Sequence, residues 1–160
     1  GTDTNVLSSY INVSDVQTPA IILDPKYIET TTGSSIDIDI KVLGVSGLAA
    51  AQATLFYDNS LMTYNSVTAG DFLEGNTEPL LVVTSNPGIN RLIVYTSSLS
   101  SDLPSNDGDG VIATANFTLN GSSDTTVGFA DDGSGNIMLD VNGSDITIND
   151  VVGASILISE

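Results

Sequence analysis

The sequence contains no cysteine, no histidine and no tryptophan, and it has only three basic residues. Without cysteine or histidine, the chain cannot form a disulfide scaffold, a zinc site with cysteine or histidine ligands, or a catalytic triad built on histidine. The basic residues are Lys26, Lys41 and Arg91, against 20 acidic residues, which gives a formal net charge of −17. Because so acidic a surface repels nucleic acid and anionic membranes, we expect neither as a partner.

The chain also lacks a signal-peptide pattern and an apolar run of membrane-spanning length. Its apolar share of 41% is ordinary for a folded protein, and 160 residues suffice for one domain with a sizeable core. We expect a domain at residues 19–160, preceded by an N-terminal extension or linker at residues 1–18. Residues 6–13 are an alternative edge strand. The absence of cysteine fits an extracellular or cell-surface microbial module.

Residues 44–58 are the stretch around which the rest of the chain is organised. They predict a tight turn at residues 44–47, where two glycines occur, and then a strand that ends at Asp58. The side chains that alternate to one face are Ala53, Leu55 and Tyr57, and those on the other face are Gln52, Thr54 and Phe56. Phe56 is an outward aromatic, which either packs under a loop or serves as a binding anchor.

Short strands separated by turn residues recur along the remaining sequence. Residues 36–42 alternate between isoleucine or valine and charged residues, which is typical of a half-exposed antiparallel strand. Further strands are predicted at residues 20–25, 61–67, 79–85, 91–98, 110–119, 125–130, 137–141, 145–149 and 154–159. No amphipathic helix of normal length is visible. This spacing of strands and turns predicts an all-β sandwich.

Two glycine-rich loops carry acidic residues that could supply oxygen ligands to calcium. The candidates are Asp107 and Asp109 in one loop, and Asp131 and Asp132 in the other. Neither loop has the twelve-residue EF-hand spacing with its distal glutamate, so we expect solvated turns, with calcium as the alternative. No carboxylate pair is singled out for glycoside hydrolysis, and no glycine-rich phosphate loop leads into a helix. We therefore expect no catalytic or cofactor-binding residues.

Five segments in order along residues 19–159 resemble cohesin modules, the receptor domains of cellulosome scaffoldins and related microbial surface proteins. The most specific begins Gly47-Leu48-Ala49 and continues through Leu55, Tyr57 and Asp58 to Leu61. The other segments are Gly33 before the strand at residues 36–42, Val67-Thr68-Ala69-Gly70-Asp71-Phe72-Leu73, Gly110-Val111-Ile112-Ala113-Thr114-Ala115-Asn116-Phe117, and Leu139-Asp140-Val141-Asn142-Gly143-Ser144-Asp145-Ile146.

The resemblance implies a nine-stranded jelly-roll β-sandwich without catalytic activity, a fold shared with carbohydrate-binding domains. It also implies a partner, the dockerin, a small helical module that carries two calcium-loaded loops. A protein of this kind anchors or assembles extracellular proteins, and it meets polysaccharide only indirectly, through enzymes of polysaccharide degradation. Calcium is therefore expected in the dockerin, and this chain needs no cofactor of its own.

In cohesins the dockerin docks on the sheet made of the eighth, third, sixth and fifth strands. By resemblance these correspond to a strand starting at Gly110 and to residues 49–57, 91–98 and 80–85. We expect Tyr95 to point inward, and Thr96 and Ser98 to point outward. The predicted partner-binding residues, short-chained and nearly uncharged, are Ala50, Gln52, Thr54, Thr96, Ser98 and Leu99.

Two other functions remain as alternatives. A carbohydrate-binding module can share this architecture, but such modules commonly stack sugars on exposed aromatics. This chain has no tryptophan, and its tyrosines fall mostly at predicted core-facing or strand-end positions. A structural module of a surface or adhesin protein could keep the same fold without a dockerin partner.

Overall fold

A computed structural model of the protein describes residues 15–130 and 135–159. Two sheets pack face to face, as the alternation of apolar residues predicted, so the all-β sandwich is confirmed. The predicted edge strand at residues 6–13 lies outside the described residues. Within the described ranges, no helix has the length and apolar character needed to cross a bilayer.

One sheet has five strands in the order β11-β1-β3-β8-β5. The other has seven, in the order β2-β12-β9-β4-β7-β6, with β10 beside β4. The strands are β1 (Ala20–Asp24), β2 (Tyr27–Thr30), β3 (Ser35–Leu48), β4 (Ala50–Tyr57), β5 (Met62–Ala69), β6 (Leu80–Asn86), β7 (Arg91–Ser97), β8 (Asn106–Leu119), β9 (Thr125–Phe129), β10 (Ile137–Leu139), β11 (Asp150–Val152) and β12 (Ala154–Ile158).

The described residues contain twelve strands instead of the predicted nine, because the chain is interrupted at three places: between β1 and β2, between β9 and β10, and between β11 and β12. Pro25 separates β1 from β2, since proline cannot donate to a sheet ladder. Gly153 separates β11 from β12 where the backbone passes so close to β9 that a Cβ would lie 2.6 Å from the Val127 oxygen. Both β9 and β10 pair with β4, on either side of the third interruption.

The core lies between the two sheets. Ile36, Ile38, Ile40 and Val42 of β3 are buried, as their alternation with charged residues predicted. Phe117 of β8 is fully buried at the centre, with its ring 5.2 Å from that of Tyr57 and 6.3 Å from that of Tyr64. The large apolar residues of both sheets therefore meet in one continuous cluster.

The predicted turn at residues 44–47 is wrong, because these residues continue β3 as an irregular, bulged strand. Gly44 and Gly47 have φ angles of 61° and 69°, which favour glycine. Their backbone amides donate to the Oδ1 atoms of Asp109 and Asp107 respectively, each at 2.6 Å. The bulged segment carries the chain from the five-stranded sheet to the start of β4.

The segments near the two ends of the chain were predicted to be a strand at residues 145–149 and an extension or linker before residue 19. The strand predicted at residues 145–149 is wrong: only an isolated bridge joins Asp145 to Leu139. At the other end, the Gln17 amide donates to Asp150 Oδ2 at 3.4 Å, and Asn149 Nδ2 donates to the Thr18 oxygen at 2.7 Å. Residues 17 and 18 thus contact the sandwich, and the proposed division at residue 19 stays a prediction.

Candidate partner-binding face

Strand β4 lies in the middle of the seven-stranded sheet, between β7 and the pair β9 and β10. Its alternation follows the sequence pattern: Ala53, Leu55 and Tyr57 are buried in the core, whereas Phe56 is 37% exposed on the opposite side. We use "outer face" for the side of β10, β4, β7 and β6 that points away from the core. The strand registers decide which side chains belong to it.

The outer face consists of four rows of side chains that run across the strands. The rows are Leu139, Ala50, Ser97 and Leu80; then Ile137, Gln52, Tyr95 and Val82; then Thr54, Ile93 and Thr84; and last Phe56, Arg91 and Asn86. The second row places an aromatic ring and two aliphatic side chains beside one amide. This surface is apolar at its centre and has a single charged residue, Arg91.

Exposed hydrophobic side chains gather on this side of the sandwich. Nine large hydrophobic residues of the described chain are exposed, and all but Ile89 lie on the seven-stranded sheet's outward side or in loops at its end. They are Tyr27, Phe56, Leu80, Val82, Leu99, Ile137, Val141 and Leu157. Phe56, Leu80, Val82 and Ile137 belong to the rows of the outer face, and exposed apolar side chains on neighbouring strands are typical of surfaces that a partner covers.

The outward side of the five-stranded sheet has the opposite character. Its side chains are mostly polar and hydrogen-bond one another: Asn116 Nδ2 donates to Asp37 Oδ1 at 2.7 Å, and Thr114 Oγ1 donates to Asp39 Oδ1 at 2.8 Å. No residue among the nine exposed hydrophobics lies on it. Because these polar groups already hydrogen-bond one another, this side has the character of a surface that faces solvent.

Two predicted contact residues of β4 are held in place by the chain that leads into β10. Gln52 Nε2 and Thr54 Oγ1 both donate to the Gly135 oxygen, at 3.0 and 2.8 Å. The Thr54 amide donates to Asn136 Oδ1 at 2.9 Å. Thr54 is consequently only 4% exposed, whereas Gln52 stays half-buried in the central row. Gln52 is the better placed of the two for contact with a partner.

An open groove of about 550 Å³ continues the outer face beyond its first row. Its walls include Tyr95 and Ser97 of β7, Leu139 at the end of β10, and the loop residues Leu99 and Val141. Leu99 is 57% exposed, as expected for a contact residue, and Ala50 and Ser98 also line the groove. Three predicted residues are therefore brought together here.

The predicted orientation of β7 is wrong by one residue. Thr96 is 1% exposed and points into the core with Leu92 and Val94, whereas Tyr95 points outward between Gln52 and Val82. A shift of one position moves every side chain of a strand to the other side of its sheet. Thr96 cannot contact a docked partner without leaving the core, and Tyr95 takes its place on the outer face.

The predicted eighth strand is also misplaced. Gly110 lies within β8, which pairs with β3 and β5 in the five-stranded sheet, on the far side of the sandwich. The position beside β4 is occupied by β9 and β10 instead. The remaining parts of the prediction, β4, β7 and β6 as neighbours in one sheet, are confirmed.

Sequence reasoning missed Tyr95, Val82, Leu80 and Ile137 as contact residues, although the strand registers place all four in the first two rows of the outer face. A usable signal was present in β7: Arg91 and Tyr95 are four residues apart, so both must lie on the same side of a strand. A charged residue at the first position therefore placed Tyr95 outside. The predicted orientation, with Thr96 and Ser98 facing outward, does not use this signal.

The two calcium candidates that the structure describes, Asp107 and Asp109, instead hydrogen-bond to backbone amides. Asp107 and Asp109 each accept a hydrogen bond from a backbone amide of the bulged β3 segment. Asp131 and Asp132 lie outside the described residues. Within residues 15–130 and 135–159 there is no group of three or more acidic residues arranged to hold a metal ion. Asp107 and Asp109 act as supports for the backbone of β3.

Electrostatic pairing is sparse in this acidic chain. The only ion pair in the described ranges joins Lys41 Nζ to Asp24 Oδ2 at 2.8 Å, on the five-stranded sheet. The hydrogen bond to Asp24 raises the pKa of Lys41 above its usual value. Lys26 and Arg91 form no ion pair in these ranges. Arg91, the only charged residue in the rows of the outer face, therefore has no acidic partner among the described residues.

The family model for the cohesin domain matches residues 23–151. Among curated protein sequences, none matches the chain significantly. Solved structures with the same fold share little sequence with it, so each likeness speaks to the fold alone.

A type II cohesin domain from the cellulosome of Acetivibrio cellulolyticus has a TM-score of 0.71 and 18% identity, covering 89% of this chain and 98% of its own. The sixth cohesin of scaffoldin B from the same organism, in complex with a Cel5 dockerin variant, has a TM-score of 0.72 and 20% identity, covering 88% and 98%. A non-cellulosomal cohesin from the archaeon Archaeoglobus fulgidus has a TM-score of 0.68 and 17% identity, covering 88% and 91%.

Proposed function

The chain belongs to the cohesin family, and we propose that it is a non-catalytic module that docks a calcium-loaded dockerin on its outer face. The observation that carries this proposal is the segregation of exposed apolar side chains to one side of the sandwich. Cohesins of this fold are known in complex with dockerins, including the scaffoldin B module described above. In this setting the module would anchor or assemble extracellular proteins at a cell surface.

The centre of the proposed contact is the row that contains Gln52, Tyr95 and Val82. Protein interfaces concentrate their binding energy in a few buried side chains near the centre, with aromatic residues over-represented. Tyr95 offers a ring with limited conformational freedom, flanked by the Gln52 amide for a hydrogen bond. The groove beside Leu99 and Val141 extends this contact and could receive a side chain or chain end of the dockerin.

A binding screen against a panel of dockerins, with calcium and again with a chelator, tests the proposal. We expect nanomolar-to-micromolar binding (about −12 to −8 kcal/mol) that disappears on chelation. Binding to polysaccharide without dockerin binding would support the carbohydrate-binding alternative. The absence of both would favour a structural surface module.

Two tyrosine variants locate the contact. Tyr95→Ala should weaken dockerin binding by about 2 kcal/mol, or roughly thirtyfold, because it removes the central aromatic anchor. Tyr27→Ala is the matched control: Tyr27 is also an exposed tyrosine on the same sheet, but it lies on β2, at the opposite edge. Equal effects of the two variants, or an effect of Tyr27→Ala alone, would place the contact elsewhere.

A further inference from the structure

Arg91 occupies an unusual position for the single arginine of an acidic protein. It is the first residue of β7, and the strand registers place it on the outer face between Phe56 of β4 and Asn86 of β6. Every other side chain in the four rows of that face is uncharged. A cation has therefore been placed on a surface whose other members are apolar or neutral polar groups.

The guanidinium of Arg91 has no acceptor in the described part of the chain. Its Nε is buried and lacks a hydrogen-bond partner, and no carboxylate of the described ranges lies within ion-pair distance of the side chain. Lys41, by contrast, is paired with Asp24. A buried donor without an acceptor is energetically unfavourable, and more so when the group is charged. The chain has 20 acidic residues, yet none of those within residues 15–130 and 135–159 forms an ion pair with Arg91.

The chemistry of the side chain defines what would satisfy it. A guanidinium presents its donors as a planar fork that matches the two oxygens of a carboxylate. Such charge-assisted pairs are stronger than neutral hydrogen bonds and depend on geometry, so they discriminate between partners. The neighbouring Phe56 would help to shield a carboxylate pair from water, because its ring lies at the adjacent position of β4.

Arg91 also lies within reach of a partner docked on the central row. Arg91 and Tyr95 are on the same face four residues apart, which corresponds to about 13 Å along a strand. An interface of ordinary size buries about 800 Å² on each side, a patch roughly 30 Å across. A dockerin centred on Tyr95 therefore covers Arg91 as well.

We propose that Arg91 binds a carboxylate of the docked partner and so selects dockerins that carry an acidic residue opposite Phe56 and Asn86. This inference rests on the proposed function, since it names the chemistry that the partner must present at one corner of the outer face. The occupant is a protein side chain or chain terminus with a carboxylate, because the other residues of the face are apolar or uncharged polar groups of the kind that protein interfaces bury.

Three variants test the role of Arg91 with a calcium-loaded dockerin that binds the wild-type module in the panel screen. Arg91→Met keeps the aliphatic arm but removes the charge and donors, and we expect binding to weaken tenfold or more. Arg91→Lys should recover only part of the loss, because lysine lacks the planar fork. Lys26→Met is the control, since it changes the net charge equally at a residue outside the outer face.

A second measurement uses the fact that the chain has only one arginine. In a ¹⁵N-labelled sample the Arg91 Nε–H group gives a single side-chain signal, which should shift when a carboxylate of the dockerin pairs with the guanidinium. A dockerin variant that lacks the matching carboxylate should bind wild type and Arg91→Met equally.

The outcomes separate the two proposals. If Tyr95→Ala weakens binding while Arg91→Met and the Nε–H signal are unaffected, the carboxylate contact is refuted and the docking face stands. If the wild-type module binds no dockerin, both proposals fail.

Discussion

Two threonines on neighbouring strands provide a direct test of which side of the sheet each occupies. Thr54 of β4 and Thr96 of β7 are 4% and 1% exposed, so both are shielded from water. The Thr54 hydroxyl donates to the Gly135 oxygen at 2.8 Å, whereas the Thr96 hydroxyl has no hydrogen-bond partner in the described chain. Valine has nearly the same shape as threonine, so a Thr→Val change isolates the hydroxyl at each position.

The two changes should alter stability in opposite directions. Thr96→Val removes a buried hydroxyl that gains nothing from its surroundings, so the free energy of unfolding should rise by about 1 kcal/mol. Thr54→Val removes a satisfied hydrogen bond and should lower it by about 1 kcal/mol. Gly135 keeps its bond from Gln52 Nε2, which limits the second cost.

Thermal unfolding followed by circular dichroism measures the difference. For a domain of this size, 1 kcal/mol shifts Tm by about 2–4 °C, so the two variants should lie roughly 4–8 °C apart. Dockerin affinity should be unchanged in Thr96→Val, because the side chain faces the core. A Tm that falls in Thr96→Val as far as in Thr54→Val would refute the assignment of an unpaired, inward hydroxyl.

Other consequences of the structure can be checked by the same unfolding assay. Gly44→Ala should cost 1 kcal/mol or more, since its φ of 61° disfavours other residues and its Cβ would lie 2.5 Å from a neighbouring side chain; Gly128→Ala, with open space and no positive φ, should be close to neutral. Asp107→Ala should lower stability by about 1–3 kcal/mol through loss of the β3 amide contact, and neither calcium nor chelator should change the wild-type Tm; a calcium-dependent rise in Tm that is lost in Asp107→Ala would mean that this carboxylate binds the ion. The raised pKa of Lys41 means that its pairing with Asp24 stabilises the fold below the unfolded-state pKa of about 10.4 and is lost as pH rises through the folded-state pKa. Lys41→Met should therefore cost well under 1 kcal/mol at pH 7, because both side chains of the pair are partly exposed to solvent, and its difference from wild type should disappear as the pH rises through the raised pKa of Lys41, whereas a constant difference would point to packing by the side-chain stem.

The sequence predicted the sandwich well because periodicity reports burial directly. The isoleucines of β3 and the alternation of β4 each fix one face of a strand without knowledge of its neighbours. Strand order carries no such local signal, which explains why Gly110 was assigned to the wrong sheet. The residues of β7 also alternate, but the polarity of Thr96 does not tell which set of side chains faces the core, because the methyl and hydroxyl groups of threonine are compatible with either environment.

The bulged segment of β3 illustrates a second limit. Two glycines within four residues predict a turn when only local sequence is considered, yet Gly44 and Gly47 are held in strand β3 by Asp109 and Asp107 of β8. These contacts join residues about sixty positions apart in sequence. The same two carboxylates looked like calcium ligands, because acidic residues on glycine-rich loops serve either purpose. Only the three-dimensional pairing of the strands distinguishes the two.

Two electrostatic effects act on dockerin binding: the long-range field of the net charge, and the short-range contact of Arg91. Measurements of the association and dissociation rates can separate them. The net charge of −17 repels an acidic dockerin during approach, and salt reduces this repulsion because the Debye length is only about 8 Å at physiological ionic strength. Arg91 acts after contact, inside an interface that excludes most ions. Arg91→Met should therefore raise the dissociation rate tenfold or more, while the salt dependence of the association rate stays nearly that of wild type, since the net charge changes by only one. An effect of Arg91→Met confined to the association rate, and abolished by salt, would show that Arg91 contributes only to the long-range field and makes no carboxylate pair.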